Sequence, residues 1–236
     1  MSENPKTLGG LELTDAAGVQ ANAFARVLLL GPPKSGKTSS VLLTAPRPIL
    51  HINCDYSVSA AKGAARLGAE FQTVFVTSRA SWFGAIRGAI KAAEAGEFRT
   101  IAVDPISVFG DTALTELKAA NYEGWALWGA LEDTIVGGCK LLLAAPAHVF
   151  LISHMTAGGE ETAGILPAIG GRTKLKLPSV VDDWVVLDLE PERKPHERQF
   201  LIGPQKYWSG ACRNAQRTCS IPADIGVLLS ELGITP

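Results

Sequence analysis

The chain contains 236 residues, of which 47% are hydrophobic and 19% are charged. A chain of this length can bury a sizeable core, and we expect a flexible lead-in over residues 1–22 followed by one domain over residues 23–236. Its 22 basic and 23 acidic residues give a net charge of -1. This balance excludes a globally basic nucleic-acid coat, although it is compatible with a local basic patch.

The sequence has no pattern that is typical of a membrane span or a signal peptide. Its longest apolar stretch, residues 141–152, contains Pro146 and His148 and is too short to cross a bilayer. The cysteines lack the spacing of a metal site. We therefore expect a cytoplasmic protein with reduced thiols and no membrane contact. The cysteines are Cys54, Cys139, Cys212 and Cys219.

Short apolar runs alternate with helical patterns along the chain, which predicts a parallel sheet covered by helices on both faces. The predicted strands are residues 25–30, 48–52, 73–76, 100–103 and 149–153. The predicted helices between them are residues 81–95, with Ser81 as N-cap and Gly96 as terminator, 111–120 and 125–145.

The last third of the chain has a different pattern. Two strands, residues 184–189 and 199–202, are joined by a short charged turn that contains two prolines. This spacing predicts an antiparallel hairpin at the edge of the sheet. A closing helix is expected over residues 222–232. The expected fold is therefore α/β, with a mostly parallel central sheet, flanking helices and this C-terminal hairpin.

Residues 31–38 read Gly-Pro-Pro-Lys-Ser-Gly-Lys-Thr, the pattern G-x-x-x-x-G-K-[ST] between a predicted strand and a predicted helix. In such a phosphate loop, backbone N–H groups and the helix N-terminus bind phosphates. The lysine adds a positive charge, and the threonine hydroxyl is a ligand for Mg²⁺. The predicted nucleotide-binding residues are Gly31, Lys34, Ser35, Gly36, Lys37, Thr38 and Ser39. No guanine-reading signature is present, which favours ATP.

Asp104 ends the apolar run of residues 99–104. An aspartate at this place in a phosphate-loop protein holds Mg²⁺ opposite the threonine, here Thr38. The alternative is a turn or helix-capping residue. Together with the phosphate loop, Asp104 predicts a magnesium site at the carboxyl edge of the sheet.

ATP hydrolysis also needs a group that orients the attacking water. Pro105 follows Asp104 directly, so a catalytic carboxylate must come from elsewhere. Asp55, which ends the strand-like run of residues 51–55, is the candidate, and capping of the following helix is its alternative role. Asn53 could position the water instead. His154 follows the strand of residues 149–153 and is the candidate γ-phosphate sensor, with a purely structural role as the alternative.

Together these residues resemble the RecA-like ATPases, and the resemblance is strongest to short phage-type nucleotide-binding proteins of recombination and single-strand annealing. The resemblance covers residues of about 24–220. Residues 52–55 match the strand end where the family carries a catalytic glutamate, which here is Asp55. Residues 151–154 match the strand with the sensing residue. Residues 170–176, followed by a strand that ends at Asp188, match the segment after the second DNA-binding loop.

By the same likeness, residues 155–169 would form a DNA-binding loop, with DNA contacting its basic flank. Tyr122 and Trp125 correspond to an aromatic pair of the phage proteins. The resemblance implies ATP and Mg²⁺ as cofactors, single-stranded DNA and phage or host recombination proteins as partners, and a homo-oligomeric ring or filament. A basic residue from the neighbouring subunit would complete each site. The candidates for this residue and for DNA contacts are Arg172, Lys174, Lys176, Lys206 and Arg213.

Two other functions use the same phosphate loop. A small-molecule or nucleotide kinase would close an arginine-rich lid over two nucleotides, and the sequence shows no compact lid of that kind. A nucleotide-dependent assembly module with little hydrolysis is the other alternative. Asp55 in place of the family's glutamate keeps this alternative open.

Overall fold

A computed structural model describes residues 7–8, 11–12, 24–55, 57–157, 164–187, 197–203 and 219–235. Within these residues, eleven strands alternate with helices for most of the chain. The strands are β1 (Thr7–Leu8), β2 (Leu11–Glu12), β3 (Arg26–Gly31), β4 (Ile49–Asn53), β5 (Gln72–Phe75), β6 (Thr100–Asp104), β7 (His148–Ala157), β8 (Ile165–Pro167), β9 (Asp183–Leu187), β10 (Gln199–Ile202) and β11 (Cys219–Pro222).

The helices lie between these strands and after them. They are α1 (Lys37–Thr44), α2 (Ser59–Arg66), α3 (Arg79–Glu94), α4 (Ile106–Ala119), α5 (Gly124–Glu132), α6 (Gly138–Leu143), α7 (Thr173–Lys176) and α8 (Ile225–Glu231). A π-helical turn (Asp133–Gly137) joins α5 to α6, and a 3₁₀ turn (Leu177–Val180) follows α7.

Nine strands form one sheet, in the order β11-β10-β9-β3-β7-β6-β4-β5, with β8 paired to β7 outside this row. The strands from β9 to β5 are mutually parallel, whereas β10 and β11 are antiparallel additions at one edge. The mostly parallel sheet and the antiparallel pairing of β9 with β10 confirm the fold predicted from the sequence. β1 and β2 form a separate two-stranded hairpin.

The sheet separates two hydrophobic cores, and β3 contributes to both. Leu28 and Leu30 face the core that is covered by α3, α4, α5 and α6. Val27 and Leu29 face the core that is covered by α1 and α8. Burial on both faces explains why the strand is a continuous apolar run without alternation. The central strand that leads into the phosphate loop is thus held rigidly.

Several predicted helix boundaries were wrong. α3 begins at Arg79 rather than at Ser81, because Ser78 is the N-cap and forms a reciprocal capping box with Ser81. α4 begins at Ile106, directly after Pro105, so Asp111 lies inside the helix and does not cap it. Gly96 does follow α3 with a φ of 73°, as expected for a terminator.

The long helix predicted over residues 125–145 is two helices separated by the π-helical turn. At this turn the carbonyl of Thr134 accepts a 3.0 Å hydrogen bond from the indole N–H of Trp82 on α3. A carbonyl that is turned out of the helical ladder is available to such a partner. Trp128, on the first of these two helices, is not buried.

The other differences are smaller. The closing helix begins at Ile225 rather than Pro222, which ends β11. The predicted DNA-binding loop starts and ends in two antiparallel strands, β7 and β8. Residues 158–163 of that loop, and Asp188 and Cys212, lie outside the described residues. No helix in the described part of the chain is both long enough and apolar enough to cross a membrane.

Candidate functional site

The site residues predicted from strand ends meet at the carboxyl edge of the parallel sheet. The register places Gly31 at the end of β3 beside His154 of β7. It also places Asn53 at the end of β4 beside Asp104 at the end of β6. This edge of an open α/β sheet is where ligands bind in such folds.

The phosphate loop is shaped by Gly36, which has a φ of 101° and directly precedes α1. Such a φ is accessible to glycine at little cost. Lys37 is only 5% exposed, and its Nζ donates to the carbonyls of Gly31 at 2.9 Å and Pro32 at 2.7 Å. Burial lowers the pKa of Lys37 to about 8, and the nearby Asp104 carboxylate opposes this shift. The ammonium therefore lies inside the loop, where phosphates would bind.

Thr38 and Asp104 are in direct contact across the cleft. The Thr38 hydroxyl donates to Oδ2 of Asp104 at 2.6 Å, and Asp104 is 8% exposed. A hydroxyl and a carboxylate this close to each other are hard oxygen donors of the kind that Mg²⁺ prefers. These residues therefore fit a magnesium ion. Among the described residues no preformed cluster of three or more His, Cys, Asp or Glu side chains exists.

His51 is a member of the site that sequence reasoning missed. It lies on β4, is 1% exposed, and its Nε2 is 3.4 Å from Oδ2 of Asp104. Its Nδ1 is 3.3 Å from the hydroxyl of Thr73. His51 and Thr38 therefore both contact the same carboxylate oxygen of Asp104. The available signal was a polar residue in the middle of an otherwise apolar predicted strand.

Asp55 lies in a turn that opens into the same cleft. Its backbone N–H donates to Oδ1 of Asn53 at 2.9 Å, and its own carboxylate accepts from the N–H of Ser57. The N-cap of α2 is Val58, so Asp55 does not occupy the cap position. The Asn53 side chain also donates to the Ser57 carbonyl at 3.1 Å. Asn53 is thus engaged in shaping the turn that carries Asp55.

His154 is half-buried at the wall of the cleft. Its backbone N–H donates to the Ser107 hydroxyl at 3.1 Å, which links the end of β7 to the start of α4. Burial lowers the pKa of His154, and the positive charge of Lys37 lowers it further. A neutral imidazole beside the phosphate loop can donate or accept a hydrogen bond.

The cleft has a volume of about 800 Å³, which is within the range of small-molecule sites. Its lining includes most of the residues predicted for nucleotide binding, metal binding and catalysis, namely Lys34, Gly36, Lys37, Thr38, Ser39, Asn53, Asp55, Asp104 and His154. Gly31 and Ser35 contact the Lys37 side chain. Arg198, which the sequence analysis did not single out, also lines the cleft.

A second cavity, of about 530 Å³, lies between α5 and the start of α7. We call it the aromatic cavity. Trp125 in its wall is 87% exposed, and Trp128 is 39% exposed. The residues that line it are Gly124, Trp125, Trp128, Gly129, Glu132, Gly171 and Arg172. It shares no lining residue with the cleft of about 800 Å³ that contains the phosphate loop, which we call the nucleotide cleft.

Of the trans-acting and DNA candidates that the structure describes, Arg172, Lys174 and Lys176 do not line the cleft of their own subunit. Arg172 lines the aromatic cavity, and Lys176 pairs with Glu132 at its wall. Lys174 follows Arg172 on α7. Lys206 and Arg213 lie outside the described residues. Tyr122 and Trp125 are both exposed at the start of α5.

Two solved structures are similar to this chain at low sequence identity. An ATPase from the type III secretion system of pathogenic bacteria matches with a TM-score of 0.56 and 12% identity, over 80% of this chain and 57% of that chain. This chain therefore corresponds to just over half of that protein. A KaiC-like protein from the hyperthermophilic archaeon Pyrococcus horikoshii matches with a TM-score of 0.48 and 12% identity, over 85% of this chain and 86% of that chain.

No curated protein sequence matches the chain. A family model described as an AAA domain matches residues 23–213, which is most of the chain. The match includes the phosphate loop, Asp104 and His154. Because this match covers well over half of the chain, the chain belongs to the AAA-domain family, and it has a nucleotide-binding, RecA-like ATPase fold.

Proposed function

We propose that the protein is a Mg²⁺-dependent ATPase that works as a homo-oligomer on single-stranded DNA, in recombination or annealing of the phage type. The observation that carries the ATPase proposal is the convergence of three groups. The buried Lys37 ammonium lies in the phosphate loop, and the Thr38 hydroxyl lies 2.6 Å from the Asp104 carboxylate. This arrangement matches the parts that phosphate-loop enzymes use for phosphoryl transfer.

The reaction is in-line attack of water on the γ-phosphorus, which gives ADP and phosphate. Lys37 stabilises the negative charge of the phosphates, at a position enclosed by protein where charge interactions are strong. Asp55 accepts a hydrogen bond from the attacking water and orients it. His154 hydrogen bonds to the γ-phosphate and senses its presence. Thr38 and Asp104 would hold Mg²⁺, which when bound neutralises phosphate charge.

Replacing Lys37 by alanine tests the ATPase proposal. We expect the rate of phosphate release from ATP to fall by about 100-fold or more, because the main positive charge of the site is lost. Lys118→Ala, which removes an exposed lysine on α4, is the matched control. Wild-type protein that binds ATP without turnover would instead support the assembly-module alternative. Phosphate transfer to a nucleoside monophosphate would support the kinase alternative.

The DNA proposal is supported by the aromatic cavity. The exposed indole of Trp125, with Trp128 behind it and Arg172 at the wall, offers an aromatic surface next to a cation. Single-strand binding sites combine base stacking on aromatic side chains with cations that contact phosphate. The position of Arg172 is compatible with the proposed homo-oligomer. Arg172 lies outside its own nucleotide cleft, so it would reach ATP only in a neighbouring subunit.

Titration of labelled oligothymidylate at several salt concentrations tests the DNA proposal. We expect binding by the wild type, DNA-stimulated ATP turnover, and affinity about tenfold lower for Trp125→Ala. Phe75→Ala is the matched control. It also removes an exposed aromatic side chain, since Phe75 is 49% exposed on β5, an edge strand of the sheet. The DNA proposal fails if wild-type protein neither binds the oligonucleotide nor is stimulated by it.

A further inference from the structure

Arg198 directly precedes β10, and the sheet topology carries it to the phosphate loop. β10 is antiparallel to β9, and β9 is parallel to β3, the strand that leads into the loop. An antiparallel strand begins at the edge where its parallel neighbours end. The start of β10 therefore lies at the carboxyl edge of the sheet. A 3.0 Å hydrogen bond from the Ala223 N–H to the Arg198 carbonyl fixes the backbone there.

The Arg198 side chain occupies the space in front of Gly36. Its Nη1 donates to the carbonyl of Ser35, and a Cβ on Gly36 would collide with the same nitrogen. Gly36 precedes Lys37 at the start of α1, where backbone N–H groups are available to bind phosphate. The guanidinium is thus a cation placed directly on the anion-binding loop.

The charge of Arg198 has no protein counterion in the described part of the chain, since no carboxylate there pairs with it. A guanidinium keeps its charge at physiological pH and has five N–H donors in a planar fork. One backbone carbonyl accounts for a single donor. The others suit two oxygens of one phosphate group, which a guanidinium can bind with two parallel hydrogen bonds.

We propose that Arg198 binds the phosphate chain of the nucleotide from within the same subunit, as a second cation beside Lys37. The ligand class is a nucleoside di- or triphosphate, and the contact is to phosphate oxygens rather than to the base. This inference rests on the proposed nucleotide site and adds a residue that the phosphate-loop motif does not contain. Phosphate binding at Arg198 also ties the antiparallel edge of the sheet to the phosphate loop.

Arginine-selective modification of the wild-type protein is the first test. The protein is treated with phenylglyoxal with and without saturating pyrophosphate, and the modified peptides are quantified by mass spectrometry. We expect pyrophosphate to slow modification of Arg198 by about tenfold, because a bound ligand protects the residue it covers. Arg87, exposed on α3, is the internal control and should react at the same rate in both samples. Equal rates at Arg198 would overturn the inference.

Variants provide the second test. Arg198→Gln should weaken ADP and pyrophosphate binding by about 10- to 100-fold, as expected for loss of charge-assisted hydrogen bonds. Arg198→Lys should retain part of the affinity, because the charge remains while the planar fork is lost. Arg87→Gln removes the same charge elsewhere and should bind like the wild type. A loss confined to ADP, with pyrophosphate unaffected, would show a contact to the nucleoside and contradict the phosphate assignment.

The two tests separate this inference from the proposed function. Wild-type protein that binds neither ATP nor pyrophosphate would overturn the nucleotide site itself. Wild-type binding with an unprotected Arg198 and an unaffected Arg198→Gln variant would overturn only the role of Arg198. If Arg198→Gln does not fold, as judged by thermal unfolding without ligand, wild-type protection and Arg198→Lys decide the question.

Discussion

The nucleotide cleft and the aromatic cavity depart from ordinary residue placement in opposite directions. In the cleft, Lys37, Asp104 and His51 are polar or charged and yet nearly buried. In the cavity, Trp125 is large and apolar and yet 87% exposed. A buried polar group is costly unless it is paired, and an exposed aromatic gives up hydrophobic stabilisation. The cleft therefore depends on pairing among its buried polar groups, whereas the cavity leaves a large aromatic side chain in solvent.

The largest effect is expected where a buried charge is removed from the cleft. Asp104→Asn keeps the shape of the side chain but removes the charge that Thr38 and His51 contact. We expect ATP turnover to fall by about 100-fold and the Mg²⁺ concentration needed for nucleotide binding to rise. The measurements are phosphate release and nucleotide binding across a magnesium titration.

Asp133→Asn, at an exposed position of the π-helical turn, is the matched control and should leave both quantities unchanged. If Asp104→Asn hydrolyses ATP at the wild-type rate, the buried charge is not part of the catalytic machinery. The burial of polar groups in the cleft would then have no catalytic role to set against the exposed aromatic of the cavity.

A change under the aromatic cavity should affect stability instead of activity. Gly171 has a φ of 64°, and a Cβ there would lie 2.6 Å from Cε3 of Trp128. We expect Gly171→Ala to lower the free energy of unfolding by about 2 kcal/mol, because it adds both backbone strain and a steric clash. Urea denaturation measures this change.

Gly129→Ala on α5 is the matched control, since a Cβ there meets no atom within 4 Å. This variant should be slightly stabilised, by about 0.5–1 kcal/mol, because alanine favours the helix. Equal stabilities for the two alanine variants would mean that Trp128 is not held against Gly171.

A third effect, on stability in acid, concerns a buried polar group far from the cleft, at the opposite ends of the strands. His148 is 2% exposed, and its Nδ1 accepts a 3.1 Å hydrogen bond from the Ala25 N–H. Burial, together with the charges of Arg99 and Arg26, lowers the pKa of His148 to about 4. Between the ordinary histidine pKa of about 6.5 and 4, the unfolded chain binds a proton that the folded protein does not.

Stability should therefore fall as the pH drops from about 6.5 to 4, by about 2 kcal/mol from this residue. His148→Asn has a lower stability at neutral pH but lacks this titration, so the difference between wild type and variant should shrink in acid. Urea unfolding at pH 7, 5.5 and 4.5 measures the difference. A difference that does not vary with pH would contradict the lowered pKa.

The smallest stability effect is expected at the most exposed residue of the cavity. Trp125→Ala removes a side chain that is already in solvent, so the free energy of unfolding should change by less than about 0.5 kcal/mol. The same variant is expected to lose affinity for oligothymidylate. A large loss of stability would show that Trp125 serves packing, and the contrast between the two regions would disappear.

The phosphate loop, Asp104, Asp55 and His154 could be found from the sequence because each is signalled locally, by spacing or by its place at a strand end. Arg198 could not be found in this way. Its contact with Ser35 joins residues 163 positions apart in the chain, through the antiparallel edge of the sheet. Local composition predicted the hairpin itself but carried no information about which side chain it would bring to the cleft.

Two predicted helix boundaries were also wrong. Asp111 has the chemistry of a cap, but Pro105 directly after β6 already allows a helix to begin. The break between α5 and α6 involves a contact with Trp82, which lies on a different helix. The first boundary depended on a signal a few residues upstream, whereas the second involves a residue 52 positions away in the chain.

The position of β3 also determines when the nucleotide site can form during synthesis. Its neighbours in the sheet come from far downstream, since Arg26 pairs with Val149 and Val27 pairs with Asp183. A nascent chain that has not reached β9 lacks one of the two strands that pair with β3, the strand that leads into the phosphate loop. Contacts this distant in sequence close slowly. A nucleotide therefore cannot act as a folding ligand at this site before β9 has been synthesised.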